Sequence, residues 1–460
     1  MKIGILGAGP GGYVAALKAA QLGAEVVVIE DTEVGGTCLN RGCIPTKTML
    51  ASSELYEKLK KAEEFGIQIE GTISANLEKV VARKQKVIDI QVKGIKGLFK
   101  SWGVELKKGR GRLISERQIK IEGPETDETI EVDKIIIATG SRPAEIPVFP
   151  FDGKRIISST EALELTTIPK SILIIGAGVI GCEFASIYRA FGSEVTIVEL
   201  LPRAVSTEDE EISKTLEKEL KKKKIKLYTE VKADSVEVKD DGVHTKLSNG
   251  KEIVSDIVLV SIGRALNSDG IGLEEVGVEK GQRGEIKVNE RMQTNVDGIY
   301  AIGDVTGGIL LAHVASKEGI VAAINATGGS ATIDYSVVPA AIFTHPEIGS
   351  VGLREHQARE KGIDYITGHF QFRALGKAHA MGEISGLIKI LADKKTDKVL
   401  GAHIIGPHAS DLIHEAAVAI KNGLTIKDLA DTIHAHPTLA EGIMEAAEDA
   451  HGEAIHVPKK

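Results

Sequence analysis

At 460 residues the chain is longer than one ordinary domain, and its 42 % hydrophobic and 27 % charged residues read as three or four packed globular units. Fifty-seven basic against 65 acidic side chains leave a net charge of −8, with no basic stripe of the length that nucleic acid demands. Apolar runs such as Ile135–Ala138 and Ile172–Ile175 reach glycines within a few residues, far short of the roughly 20 that a membrane span needs, so none is predicted.

In chain order, Met1–Leu6 is a strand that runs directly into Gly7-Ala8-Gly9-Pro10-Gly11-Gly12, which leaves no room for a signal peptide and predicts a cytoplasmic protein. In a G-x-G-x-x-G turn the first glycine allows the tight bend and the second lets backbone approach a pyrophosphate. The third permits close helix-on-strand packing. The helix that follows faces the phosphates with unpaired amides. The motif returns as Gly176-Ala177-Gly178-Val179-Ile180-Gly181, shifted by 169 residues, and Ala16/Ala185, Gly23/Gly192, Glu25/Glu194 and Glu30/Glu199 keep the same register. Two copies of one βαβ unit are therefore predicted. Glu30 and Glu199 each lie 23 residues beyond the first glycine, at a strand end where a carboxylate accepts hydrogen bonds from an adenosine ribose and repels a 2′-phosphate. That favours FAD on the first loop and NAD on the second, with Arg203 the one nearby residue that would suit NADP.

Between the copies lies Gly35-Gly36-Thr37-Cys38-Leu39-Asn40-Arg41-Gly42-Cys43-Ile44-Pro45-Thr46-Lys47. Four residues between Cys38 and Cys43 allow the separation a disulfide requires, and equally suit a helix start that holds two free thiols. Only three cysteines occur, the third being Cys182; in a reducing compartment such a pair points to redox chemistry rather than a structural staple.

Further on, Ile135–Ser141 reads as a strand entering a glycine turn that contains Thr139 and Gly140, and Ile299–Val305 as another, placing Asp304 where it can accept a ribityl hydroxyl. The lysine-rich run Lys218–Lys226 closes a helix before Leu227-Tyr228 and is read as a solvated face. Twelve of the thirteen histidines lie beyond residue 300, with His403, His408, His414, His434 and His436 close in sequence. No metal-ligand spacing with cysteine or carboxylate partners emerges, and no metal site is predicted.

The disulfide segment, both glycine loops, Ala138-Thr139-Gly140-Ser141, Ala301-Ile302-Gly303-Asp304-Val305 and His434-Ala435-His436-Pro437-Thr438-Leu439-Ala440-Glu441 together resemble the pyridine nucleotide-disulfide oxidoreductases across essentially the whole chain. The resemblance implies an α/β fold with two Rossmann-like dinucleotide-binding domains and an α+β C-terminal dimerisation domain. The implied boundaries are 1–145 for FAD binding with the redox disulfide, 146–265 for NAD binding, 266–335 for a central segment completing the FAD site, and 336–460 for dimerisation. Within the family the closest likeness is to the branch that oxidises protein-bound dihydrolipoamide with NAD.

By that resemblance Cys38 is the sulfur that meets substrate and Cys43 the sulfur against the flavin. Lys47 lies near the flavin with Glu183 as its ion-pair partner. His436 is the base, oriented by Glu441, and reaches the disulfide of the other subunit of a homodimer. The implied FAD contacts are Gly7, Gly9, Gly12, Glu30, Lys47, Thr139, Gly140 and Asp304; those to NAD are Gly176, Gly178, Gly181, Glu183, Glu199 and Gly263. The implied partner is a lipoyl-bearing protein of a 2-oxo acid dehydrogenase or glycine cleavage complex. Two departures stand out: Ala265-Leu266-Asn267-Ser268 follows Arg264 where the family shows a proline and another spacer, and Ala440 stands where a small polar residue is common. The main alternative is a sister NAD(P)H-dependent reductase of the glutathione or mercuric type, against which Glu199 and a cysteine-free C-terminal tail speak. A redox-silent flavoprotein serving as a binding subunit is the reading from another class; intact Cys38, Cys43 and His436 oppose it.

Overall fold

The computed structural model describes residues 1–123 and 127–458. Lys2–Leu6, Glu25–Glu30, Lys134–Ile137 and Ile299–Ala301 are short aliphatic runs that are almost wholly buried, as strands covered on both faces must be. With Glu105–Lys108 they form a five-stranded parallel sheet in the order Ile299–Ala301, Lys134–Ile137, Lys2–Leu6, Glu25–Glu30, Glu105–Lys108. Helices Pro10–Gln21 and Ala312–Ala326 cover one face. An antiparallel meander of Arg110–Ser115, Gln118–Glu122 and Asp127–Glu131 covers the other, sealing Leu6, Val27, Ile29, Ile135 and Ile137 against Leu113, Ile119, Ile121 and Ile130.

The sequence repeat is a structural one. Shifting by 169 residues carries Lys2–Leu6 onto the strand Ser171–Ile175 and Pro10 onto Val179, where the helix Val179–Phe191 begins. The second parallel sheet runs Lys226–Tyr228, Glu194–Val198, Ser171–Ile175, Ile257–Val260, Ile156–Ile157, again with a three-stranded meander, Ala233–Lys239, Gly242–Leu247 and Glu252–Ser255. A two-stranded ribbon of Ser141–Pro143 and Arg264–Leu266 straps the two units together.

The C-terminal unit is a five-stranded antiparallel sheet, Ala340–Ile342, Glu347–Gly352, Val399–Gly406, Leu387–Asp393, Tyr365–Gln371. Its alternation sends Phe370, Ile388 and Ile404 toward helices Ala409–Asn422 and Glu441–Asp449, and Ile348, Leu387 and Ile405 the other way. The second set joins one continuous core with Ile212 and Leu216 of the helix Glu210–Lys222 and Met49 and Leu50 of the helix Cys43–Lys60. All three units therefore meet in a single apolar core. Among the described residues no helix is long and apolar enough to cross a membrane.

Candidate active site

Gly35 and Gly36, at φ of 95° and 58°, turn the chain from the strand Glu25–Glu30 into the short helix Gly36–Arg41, which carries Cys38. The helix stops at Gly42, and a second helix opens on Cys43 itself. The cysteines thus belong to two helices flanking a break, a geometry that spacing alone left open. A Cβ on Gly36 would sit 2.6 Å from the Gly9 Cα, so the cysteine segment packs directly on the first glycine loop.

Both thiols are free and half-buried, and they hydrogen-bond to one another. Their ionisation is split in opposite directions. The bond from Cys38 lowers the Cys43 pKa to about 7 against the opposing effect of burial, and the Lys47 charge helps. Cys38 is pushed up by its bond to Cys43 and by burial. Cys43 is therefore the more acidic of the two.

Lys47, one turn into the helix that Cys43 opens, donates to both carboxylate oxygens of Glu183 at 2.9 Å. Glu183 is buried on the second glycine helix and also accepts the Phe343 N–H at 2.9 Å, while the Lys47 ammonium lies 4.6 Å from the centre of the Phe343 ring. One buried carboxylate thereby joins the three units beside the sulfurs. The expected Lys47–Glu183 pairing is found; Phe343 was not singled out from the sequence, where nothing marks it.

The two nucleotide loops have matching geometry. A Cβ on Gly12 or Gly181 would lie 1.9 or 2.0 Å from the carbonyl oxygen of Gly7 or Gly176, so the third glycine in each loop is required by packing. Above the middle glycine there is room: a Cβ on Gly178 meets nothing within 4 Å, and on Gly9 nothing nearer than 3.8 Å. Both helices begin there without a side-chain cap, leaving their first amides for a ligand. This open cradle with free donors fits a dinucleotide pyrophosphate at each loop. Glu30 accepts the Ala8 N–H at 2.7 Å and Glu199 the Ala177 N–H at 2.6 Å, so each acid also braces its own loop. Arg203 is committed elsewhere, donating to the Ser206 and Glu208 carbonyls at 3.0 and 3.4 Å.

Asp304 sits in a hydrogen-bonded network that sequence reading reached only in part. Ser141 donates to its carboxylate, and Arg264 lies 3.6 Å from it while holding Ser141 through Oγ at 2.6 Å and through the carbonyl at 2.7 Å. The Gly303 N–H is fixed 2.6 Å from the buried carboxylate of Glu318, which also accepts from Tyr335. The unusual segment after Arg264 supplies the other half. The Asn267 amide donates to the Thr139 carbonyl at 3.0 Å, Thr139 returns a 2.8 Å bond to the Asn267 carbonyl, and the Asn267 N–H reaches the Gly140 carbonyl. Gly263 lies in the same strap, accepting the Ala144 N–H at 3.0 Å.

His436 and Glu441 pair in the C-terminal unit at 2.8 Å between Nδ1 and Oε1, with the second carboxylate oxygen accepting the Thr438 N–H at 2.7 Å. Burial raises the Glu441 pKa, but the Thr438 and His436 bonds outweigh it and keep the group ionised. Ala440 gives the following helix no side-chain cap, and the Thr438 bond fixes the carboxylate instead. The His436 ring is 78 % exposed, and the groups within the chain that act on the cysteines include each other, Lys47, Glu183, Arg264 and Tyr13. Among the described residues, no three histidines, cysteines or acids are grouped to hold a metal ion.

Residues 1–319 match a family model described as pyridine nucleotide-disulphide oxidoreductase, and residues 338–447 match the dimerisation domain of that family. The chain is 46 % identical over 456 residues to the dihydrolipoyl dehydrogenase of Chlamydia muridarum, covering 99 % of this chain and 97 % of the relative. It is 45 % identical over 459 residues to the dihydrolipoyl dehydrogenase of Thermus scotoductus, covering 98 % of each. Among solved structures, LpdA from Mycobacterium tuberculosis matches with a TM-score of 0.92 at 32 % identity, over 97 % of this chain and 99 % of that one. The HOCl-induced flavoprotein disulfide reductase RclA from Escherichia coli matches with a TM-score of 0.88 at 26 % identity, over 97 % and 99 %.

Proposed function

The chain belongs to the pyridine nucleotide-disulphide oxidoreductase family, which binds FAD and NAD(P), and from that premise we propose that it is an NAD-linked dihydrolipoyl dehydrogenase working as a homodimer in the cytoplasm. The observation that carries the reading is the placement of the cysteine pair, on two helices broken at Gly42, packed on the first glycine loop and beside the Lys47–Glu183 ion pair that reaches the second. The uncapped first loop with Glu30, Thr139, Gly140 and Asp304 is assigned to FAD, and the second loop with Glu199 to NAD. The inward commitment of Arg203 supports NAD over NADP.

With its Nδ1 proton held by Glu441, His436 presents Nε2 as the base. It takes the proton of one dihydrolipoyl thiol at the Cys38–Cys43 disulfide of the other subunit. The resulting thiolate attacks Cys38 Sγ, and the bond between the two cysteines breaks with the electron pair leaving on Cys43, whose low pKa makes it the better leaving group. The second substrate thiol then attacks the mixed disulfide, closing the lipoyl ring and releasing Cys38, which takes the imidazolium proton while the proton of the second thiol passes to the imidazole so vacated. Gly7, Gly9, Gly12, Glu30, Thr139, Gly140 and Asp304 would hold FAD, which would supply an acceptor for the electron pair and its onward transfer to NAD as hydride. Lys47 sits where a cation offsets negative charge on the thiolate. The partner that presents the dithiol is a lipoyl-bearing protein of a 2-oxo acid dehydrogenase or glycine cleavage complex.

A steady-state assay of the purified yellow protein with dihydrolipoamide tests the reading. NADH must form with NAD, and NADP must serve poorly. Turnover of glutathione disulfide with NADPH in its place would assign the chain to a sister reductase.

A further inference from the structure

Downstream of each glycine-loop acid a backbone amide closes onto the alanine of its own loop, but at different conformational cost in the two units. In the first unit the Gly35 N–H donates to the Ala8 carbonyl at 2.8 Å, with glycine at φ 95°, a conformation it adopts freely. In the second unit the matching bond, to the Ala177 carbonyl at 2.8 Å, comes from Val205 at φ 42°. A β-branched residue in the left-handed region is unfavourable and persists only where its surroundings impose it. The segment from Glu199 to Asp209 holds no helix or strand, so the restraint comes from its contacts.

Those contacts lead out of the unit. Asp209 caps the helix Glu210–Lys222, and its Oδ1 lies 2.9 Å from the Lys389 ammonium on the C-terminal sheet. Lys389 is 2 % exposed and also reaches Glu355 at 2.6 Å and Glu211 at 3.6 Å. Asp209 Oδ2 accepts the Glu355 N–H at 3.2 Å. Upstream, the segment is fixed at Ala204, whose N–H donates to Glu217 at 2.9 Å, and at Glu199, which holds the Ala177 N–H. Ala177 therefore has its N–H held by Glu199 and its carbonyl by Val205, both on a segment whose far end, Asp209, is paired with Lys389.

We propose that Lys389 is a positioning residue for the nicotinamide dinucleotide, acting through Asp209 and the 199–209 segment to keep Glu199 and the second glycine loop in binding geometry. The inference rests on the assignment of NAD to that loop. Removing Lys389 leaves the buried Asp209 carboxylate without its cation, and the segment that carries Val205 loses its tie to the C-terminal sheet through that ammonium.

The test is NAD titration of the oxidised holoenzyme by calorimetry, alongside the rate of flavin reduction by dihydrolipoamide, a step that needs no NAD. Lys389→Met is expected to raise the NAD Kd about tenfold, within the range usual for coupling between separated sites, while flavin content and reduction rate stay within about twofold and saturating NAD restores kcat. Asp209→Asn keeps the capping oxygen and a bond to Lys389 but loses the charge, and is expected to weaken NAD in the same direction by less. If Lys389→Met does not fold, Asp209→Asn decides. An NAD Kd unchanged in a folded variant, or a parallel loss of flavin reduction, overturns the proposal. A wild-type protein that binds no NAD overturns the functional reading first, and is told apart by that measurement alone.

Discussion

The Lys47 ammonium lies 2.9 Å from both carboxylate oxygens of Glu183, across 136 positions of sequence and from one nucleotide-binding unit to the other. Both charges act on Cys43, in opposite senses: after the dominant bond from Cys38 and the burial that opposes it, Lys47 lowers its pKa and Glu183 raises it. In the two-electron-reduced enzyme the long-wavelength absorption from thiolate to flavin should appear as pH rises through about 7. Lys47→Met should move that midpoint up and Glu183→Gln should move it down. A pair that merely braced the fold would shift both in one direction or neither, and Cys43→Ser should abolish the band.

The His436 ring stands exposed on the C-terminal unit with the partly buried Glu441 behind it, which fits action on the other subunit's cysteines. His436→Gln should retain flavin and lower lipoamide turnover by roughly 10² to 10⁴, the usual cost of losing a general base. Glu441→Gln keeps the ring but weakens its orientation, and the loss should be smaller. Mixing His436→Gln with Cys43→Ser subunits gives the sharper test: heterodimers pair an intact histidine with an intact disulfide at one site, so activity should reappear. Mixtures that stay inactive would place the histidine and cysteines in one chain.

Glu199→Ala should weaken NAD more than NADP, since the carboxylate both repels a 2′-phosphate and braces the Ala177 amide. The ratio of the two KM values is the readout. An unchanged ratio with both affinities reduced would leave Glu199 a loop brace and nothing more.

What the sequence disclosed was local. The glycine loops with their acids, the cysteine segment and the Gly303-Asp304 turn each fit within about 30 residues, so spacing alone exposes their geometry. The break at Gly42 that puts Cys38 and Cys43 on separate helices was not legible, because it depends on how the segment packs against Gly9. Residues recruited from afar left no signal at all. Arg264 and Asn267 act only once the strap pairs with Ser141–Pro143, and the departure after Arg264 reads as unusual in sequence yet supplies three hydrogen bonds to the Thr139–Gly140 turn. Lys389 meets Asp209 across 180 positions, through a sheet row whose neighbours His369 and His403 are equally invisible until the register is known.

That row also holds an acid-sensitive group. His403 is fully buried opposite Lys389, donates from Nε2 to the Leu353 carbonyl, and is driven down to a pKa of about 4, chiefly by burial. In the unfolded chain its pKa is near 6.5. Between those values the unfolded state binds a proton that the folded state refuses, so stability is complete above about pH 6.5 and falls as pH drops toward 4, by up to about 1.4 kcal/mol per pH unit from this one ring. His345, lowered to about 4 largely by burial, adds to the slope over the same window. Thermal unfolding from about pH 7 to about 5.5 should therefore show a falling Tm before the carboxylates begin to protonate. His403→Gln, which has no proton to gain, should flatten that fall even if its Tm at pH 7 is lower. An undiminished slope in His403→Gln would mean that the ring is not the group opposing protonation.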